Sequence, residues 1–141
     1  MTTTPRILLL ERDSELAAVL DRVLTGHGYE VAVAHGGDEA LRLARAEPPA
    51  VAVVDAGQLA TLRALRSLPG WAELPAVVLV DGNHGALPRG DWALRRPFDF
   101  AALLDLIEGA LVRAEPVRAV ARARPIVQAA VRAPAPNSMS R

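Results

Sequence analysis

Short apolar runs alternate with segments of helical spacing along this chain, and that alternation constrains its fold more than any other feature. The runs are Ile7–Leu10, Tyr29–Ala34, Ala50–Val54, Ala76–Val80 and the shorter Trp92–Leu94. Solid apolar strands occur in parallel sheets that helices cover on both sides. The alternation therefore predicts an α/β fold, a doubly wound parallel sheet with right-handed crossovers.

The segments between the strands carry the signals of helix ends. Asp13 and Ser14 precede the first helical pattern, and their side-chain oxygens suit an N-cap. Gly26 and Gly28 are expected to end that helix, because glycine tolerates positive φ. Asp99 is expected to cap the last helix. The buried stripe of the last helix is predicted to be Leu103, Leu104, Ile107 and Leu111.

The crossover between the fourth and fifth strands departs from this pattern. Only eleven residues, Asp81–Asp91, separate the two strands, and they include three glycines and one proline. A strand–helix–strand crossover needs about 10–12 residues at minimum, and glycine and proline both destabilise a helix. We therefore predict that the fourth helix is missing or much shortened.

Charge divides the chain into two parts. Residues 116–141 hold five arginines and no acidic residue, whereas residues 1–115 hold 11 arginines and 16 acidic residues. Four prolines in the second part oppose one continuous helix. We predict a folded domain over 1–115 and a poorly ordered, basic Ala/Pro/Arg-rich tail over 116–141. The functional alternative for the tail is a docking peptide for an acidic partner.

Residue types that the chain lacks exclude several kinds of site. It has no cysteine, which excludes disulfides and thiol chemistry, and no lysine, which excludes Schiff bases. No phosphate-binding glycine loop or nucleophile elbow is present, so we do not expect an enzyme. The apolar runs are much shorter than the ~20 residues that span a bilayer. We expect a cytoplasmic protein that does not bind a membrane.

Charged residues collect at the carboxyl ends of the predicted strands. Glu11 and Arg12 follow the first strand, Asp55 ends the third and Asp81 follows the fourth. These ends meet at one edge of a parallel sheet, where ligands bind. The sequence therefore predicts one shared site at this edge.

Six segments follow one another in an order typical of a known family. They are RILLLERDSEL at 6–16, GYEV at 28–31, GDEAL at 37–41, VAVVD at 51–55, LPAVVLV at 74–80 and RPFD at 96–99. Together they resemble the receiver (CheY-like) domain of two-component response regulators, over about residues 6–113. The resemblance implies a flavodoxin-like sheet of five parallel strands in the order 2-1-3-4-5.

The resemblance also implies a chemistry, the transfer of a phosphoryl group from a partner histidine kinase to an aspartate. Asp55 matches the phospho-acceptor, and Glu11 matches the first of two acidic positions that hold Mg²⁺ in the family. Carboxylate and carbonyl oxygens are the ligands that Mg²⁺ prefers. If the side chain of Arg12 points outward, Glu11, Asp55 and the Gly57 carbonyl would form a weak Mg²⁺ site.

Three positions depart from the family. Arg12 stands where the second acidic ligand is expected, Val80 replaces the Ser or Thr, and Arg96 replaces the lysine. Unit charges ~4 Å apart interact by ~4 kcal/mol at an effective dielectric of ~20, so Arg12 opposes a cation. We hypothesise that Arg12 takes the place of the metal beside Asp55, with Arg96 as a second cation. The alternative is that Arg12 lies in solvent.

These departures predict a stand-alone, atypical receiver domain that works in signal transduction by protein–protein interaction. Aspartyl phosphorylation is expected to be weak or absent, with no cofactor beyond weakly bound Mg²⁺. The expected partner is a signalling protein or histidine kinase, reached through the surface around the fifth strand and last helix. A homodimer is compatible with that surface. Two alternatives stay open: a phosphorelay regulator with Asp55 as acceptor, or a scaffold whose tail binds an acidic partner or, less expected, nucleic acid.

Overall fold

The structure is a computed structural model that describes residues 4–81 and 91–114. Its strands are β1 (Arg6–Leu10), β2 (Glu30–Ala34), β3 (Val51–Asp55), β4 (Ala76–Val80) and β5 (Trp92–Arg95). All neighbouring strands pair in parallel, in the order β2-β1-β3-β4-β5. The predicted fold class and strand order are confirmed.

Four α-helices lie in the described part of the chain. They are α1 (Ser14–Gly26), α2 (Gly37–Ala46), α3 (Leu59–Arg66) and α4 (Phe100–Ala114), with a 3₁₀ turn at Ala56–Gln58 before α3. The Asp13 side chain caps α1 by accepting from two backbone N–H groups, and the Asp99 side chain accepts from Ala102 N–H at 2.8 Å. Gly28 has a φ of 95° after α1. Gly26 is the last residue of α1, as expected, but the positive φ expected there was wrong.

Alternate strand residues face two apolar cores, one on each side of the sheet. Ile7 and Leu9 pack with α1 and α4, whereas Leu8 and Leu10 pack with α2 and α3. All four are buried, and burial of each such side chain contributes about 1.5–3 kcal/mol. Both faces of the sheet are therefore covered, and its carboxyl edge is left to carry polar groups.

An ion pair between Arg66 and the buried Asp91 links the end of α3 to the start of β5. Arg66 donates from Nη1 and Nη2 to the two carboxylate oxygens of Asp91, at 3.0 and 2.6 Å. Arg66 Nε also donates to the backbone oxygen of Leu74, at 3.0 Å. The bidentate geometry fixes both side chains. It ties together three segments that are distant in the sequence.

Two predictions fall on residues outside the described part of the chain. The first is the prediction that the crossover between β4 and β5 has lost or shortened its helix, which falls mostly on residues 82–90. The second is the prediction of a basic tail over residues 116–141. Within residues 4–81 and 91–114, no helix has the length and apolar character needed to cross a membrane.

Candidate functional site

One guanidinium joins the carboxyl ends of three strands. The Arg96 N–H donates to Val80 O at 2.8 Å and so extends the pairing of β5 with β4. This places Arg96 Nη2 within 3.2 Å of Glu11 Oε1, after β1, and 3.1 Å of Asp55 Oδ1, at the end of β3. Arg96 Nε lies 3.3 Å from Asp81 Oδ1, after β4. We call Glu11, Asp55 and Arg96 the arginine-bridged site.

Burial decides which of these contacts matter for the site. The Glu11 and Asp55 side chains are only 4% and 13% exposed, so water screens their charges poorly and each needs a cation. The Asp81 side chain is 78% exposed, and an exposed pair of this kind contributes about 0–1 kcal/mol. Arg96 therefore serves mainly to neutralise Glu11 and Asp55.

Arg12 lies over the same aspartate from the solvent side. Its Nε is 3.6 Å from Asp55 Oδ2, and its side chain is 66% exposed. A Cβ on Gly57 would stand only 2.9 Å from Arg12 Nη2, so the guanidinium passes close to the backbone after β3. The hypothesis had Arg12 as the main cation and Arg96 as the second. The geometry reverses that order, because Arg96 makes the hydrogen bonds and Arg12 the longer outer contact.

Hydrogen bonds from Asp13, in the loop after β1, and from His35, directly after β2, hold Glu11 in place. Glu11 Oε2 accepts from Asp13 N–H at 3.1 Å, and the Glu11 backbone oxygen accepts from His35 Nδ1 at 3.1 Å. Gln58, which is buried, donates to His35 O at 3.3 Å. The sequence analysis did not single out His35. Its position directly after β2, at the same sheet edge, was the signal that could have identified it.

The charged residues at this edge do not fit a Mg²⁺ ion as they stand. Mg²⁺ needs near-octahedral oxygen ligands at 2.0–2.1 Å. Glu11 Oε1 and Asp55 Oδ1 both accept hydrogen bonds from Arg96 Nη2, and Glu11 Oε2 accepts one from the Asp13 N–H. Across residues 4–81 and 91–114, no group of three or more His, Cys, Asp or Glu residues is placed to hold a metal. The predicted site of Glu11, Asp55 and the Gly57 carbonyl would have to displace Arg96.

Val80 lies next to this edge in an apolar environment. It is fully buried and packs with Val78 and Ala93, against Ala56 and Leu59. Ala93, on β5, belongs to the same buried cluster. Both positions therefore carry small or branched apolar side chains, and neither has a hydroxyl group.

The sequence analysis placed Asp81 at this edge but not among the site residues, although Asp81 contacts Arg96. The signal was present, because a carboxylate directly follows the apolar run of β4. Nothing in the sequence pairs it with Arg96 in particular. That contact depends on the register that sets Val80 opposite Arg95.

Comparison with known proteins gives one consistent relationship. No protein-family model matches the sequence. The chain is 34% identical over 122 residues to the transcriptional regulatory protein PrrA of Mycobacterium tuberculosis, a match that covers 79% of this chain and 52% of PrrA. The chain thus spans about half the length of the curated relatives it matches first.

Solved structures agree with this relationship. A protein from Chloroflexus aurantiacus that is assigned to the response regulators is 26% identical, with a TM-score of 0.68, and the match covers 79% of this chain and 100% of that one. The chemotaxis response regulator CheY4 of Vibrio cholerae is 21% identical, with a TM-score of 0.66, over 75% of this chain and 98% of its own. At 21% identity, the second likeness shows the fold alone.

Proposed function

Because the chain belongs to the receiver (CheY-like) family of response regulators, we propose that it signals by protein–protein contact and does not depend on a phosphorylated aspartate. The observation that carries this proposal is the single Arg96 nitrogen shared by Glu11 and Asp55. In this reading, the guanidinium supplies the positive charge that a metal ion and a lysine supply elsewhere in the family. The site is neutralised before any phosphate arrives.

The contacts of Asp55 oppose phosphorylation in two ways. A phosphoryl group must attach to a carboxylate oxygen, but Oδ1 accepts a hydrogen bond from Arg96 and Oδ2 faces Arg12. A divalent cation must also approach to neutralise the incoming charge. Removing one partner of a buried ion pair costs about 3–5 kcal/mol. A Mg²⁺ ion that displaces Arg96 has to offset a cost of this order.

The apolar surroundings of Val80 support the same proposal. A hydroxyl at this position would bind a phosphoryl oxygen, and none is available at Val80 or at Ala93. A phosphate on Asp55 would therefore lack one of the groups that respond to it. We propose that this domain holds one state of its surface in place of switching between two.

The proposed partner is a signalling protein or a histidine kinase, and its contact surface lies beside β5. The sequence analysis placed this surface around the fifth strand and the last helix, but the strand residues Trp92–Leu94 are buried. The exposed residues of this region are Arg95, Pro97, Asp99 and Phe100. Phe98 packs edge-on against Phe100, with ring centroids 6.2 Å apart. A homodimer through the same surface is the second arrangement that we keep. The proposed location is the cytoplasm, which is typical of response regulators.

Labelling with acetyl phosphate tests the proposal directly. We expect little or no phosphate on Asp55 in the unmodified protein with Mg²⁺ present, and clear labelling in an Arg12→Asp/Arg96→Lys variant that restores the family's charges. Asp55→Asn in the same background should abolish that labelling. Arg42→Asp on the exposed face of α2 is the matched control and should leave the protein unlabelled.

A relay function with Asp55 as acceptor is the second candidate. The specific observation in its favour is the position of Asp55 at the end of β3, beside the acidic Glu11. Stoichiometric, Asp55-dependent labelling of the unmodified protein would establish this function and would overturn the proposal above.

A further inference from the structure

The exposed side of α4 carries a stripe of two acidic residues and one large apolar residue. Ala101, Asp105, Glu108 and Val112 are all exposed, and their spacing of three or four residues puts them on one face of the helix. Val112 is 64% exposed, more than the other exposed large hydrophobic residues of the described chain. We call these four residues the α4 stripe.

The stripe lies on the same side of the sheet as α1. Both helices bury their apolar residues in one core, and α1 exposes Glu15 and Val19 to solvent. Tyr29 lies just after α1, and its pKa is raised first by burial and second by the negative charge of Glu108. Glu108 of the stripe therefore lies near the residues that follow α1, on the same side of the sheet.

The sequence that follows α4 is complementary to this surface. Residues 116–141 contain five arginines and no acidic residue, with Val117, Val120, Ile126 and Val127 between them. The described chain ends at 114, in the last turn of α4 and two residues beyond Val112. The tail therefore leaves the domain at one end of the stripe.

We propose that residues 116–141 bind in cis along the α4 stripe, with arginines beside Asp105 and Glu108 and aliphatic side chains over Val112. This contact is independent of the function proposed above. A stripe from residue 101 to 112 spans ~16 Å at ~1.5 Å per residue, and a segment of this length reaches it easily at ~3.3 Å per extended residue. Covalent attachment gives the two parts an effective concentration of about millimolar, so weak contacts suffice. Arg22, the exposed cation of α1, repels the tail and favours α4 over the middle of α1.

A spin label on the full-length chain tests this contact. The chain has no cysteine, so Ser138→Cys gives a single attachment site for a nitroxide. We expect the label to broaden the backbone amide resonances of residues 105–112 much more than those of α2, on the opposite side of the sheet. The broadening should weaken as salt rises, because the Debye length falls from ~10 Å at 0.1 M to ~3 Å at 1 M.

Two variants separate this contact from chance encounters. Asp105→Asn/Glu108→Gln should remove most of the broadening of α4, and the matched Asp38→Asn/Glu73→Gln variant, at exposed positions elsewhere, should preserve it. Mixing labelled protein with unlabelled ¹⁵N protein should give no broadening, since the contact is within one chain. Four results would each overturn the proposal. They are broadening that is uniform over the domain, broadening only at Asp55, broadening between molecules in the mixed sample, and tail resonances that respond to duplex DNA but not to the α4 variant.

Discussion

At the scale of single residues, the choice of arginine at position 96 determines what the site can do. A guanidinium is planar, carries five N–H donors and stays charged at all relevant pH values. Arg96 uses Nη2 for Glu11 and Asp55 and Nε for Asp81. A lysine ammonium has one nitrogen, so it could not reach Asp81 from a second nitrogen while it held Glu11 and Asp55. Arginine therefore contacts three carboxylates at once and stays charged at this position.

Removal of this bridge should strongly destabilise the domain. In Arg96→Met, two largely buried carboxylates would keep only the longer, exposed contact of Asp55 with Arg12, so we expect a loss of about 3–5 kcal/mol in the free energy of unfolding. Urea denaturation measures it. Arg95→Met, at the exposed neighbouring position, should change stability by less than about 0.5 kcal/mol. Equal effects from the two variants would contradict the assigned role of Arg96.

Tyr29 supplies a pH-dependent test at the same scale. Its pKa is raised from 10.0 by burial and then by Glu108, so the folded state favours the neutral phenol. The resulting stability is present below the unfolded pKa and is lost as the pH rises through the folded pKa. Because the chain has one tyrosine, its phenolate absorbance reports the titration directly.

Glu108→Gln should lower the pKa of Tyr29, since one of the two causes of the shift is removed. Glu73→Gln, on an exposed turn far along the chain, serves as the control and should leave the titration unchanged. A Tyr29 titration that is identical in all three proteins would show that burial alone sets its pKa.

At the scale of helices and strands, the Arg66–Asp91 pair positions β5. Asp91 is buried and precedes the strand, while Arg66 ends α3 and also donates to Leu74 O. The two residues are 25 positions apart, so the pair closes the loop that contains β4. Arg96 lies at the other end of β5, and its reach to Glu11 depends on the position of this strand.

Arg66→Met should therefore cost about 3–5 kcal/mol in stability, because it leaves a buried carboxylate without its guanidinium. Arg63→Met, one turn earlier on the exposed side of α3, is the matched control and should have a minor effect. Thermal and urea unfolding of both variants provide the measurement. If Arg63→Met were as destabilising as Arg66→Met, the ion pair would have no special role.

The elements were predictable because their signals are local. The apolar run of β3, the Asp13 cap of α1 and the Asp99 cap of α4 each depend on residues close together in sequence. The sequence did not predict that Arg96, and not Arg12, makes the hydrogen bonds to Glu11 and Asp55. That outcome depends on how β5 pairs with β4. The burial of Trp92–Leu94 was missed for a similar reason. A short strand at the edge of the sheet looks exposed in sequence, but Trp92 and Leu94 pack in the core with α1 and α4, and Ala93 packs in a second buried cluster.

At the scale of the whole molecule, the account describes a receiver domain whose charged edge is already neutralised. The sheet brings together Glu11, Asp55 and Arg96, which lie up to 85 positions apart in the sequence. In the proposed function, regulation comes from contacts with proteins and does not require a phosphorylated Asp55.

A ¹H–¹⁵N NMR titration with Mg²⁺, alone and with beryllofluoride, tests the central claim most directly. The account predicts no saturable shifts near Asp55 at sub-millimolar Mg²⁺ in the unmodified protein, and saturable shifts in the Arg12→Asp/Arg96→Lys variant. Saturable shifts at Asp55 and Glu11 in the unmodified protein, at the same Mg²⁺ concentration, would contradict it.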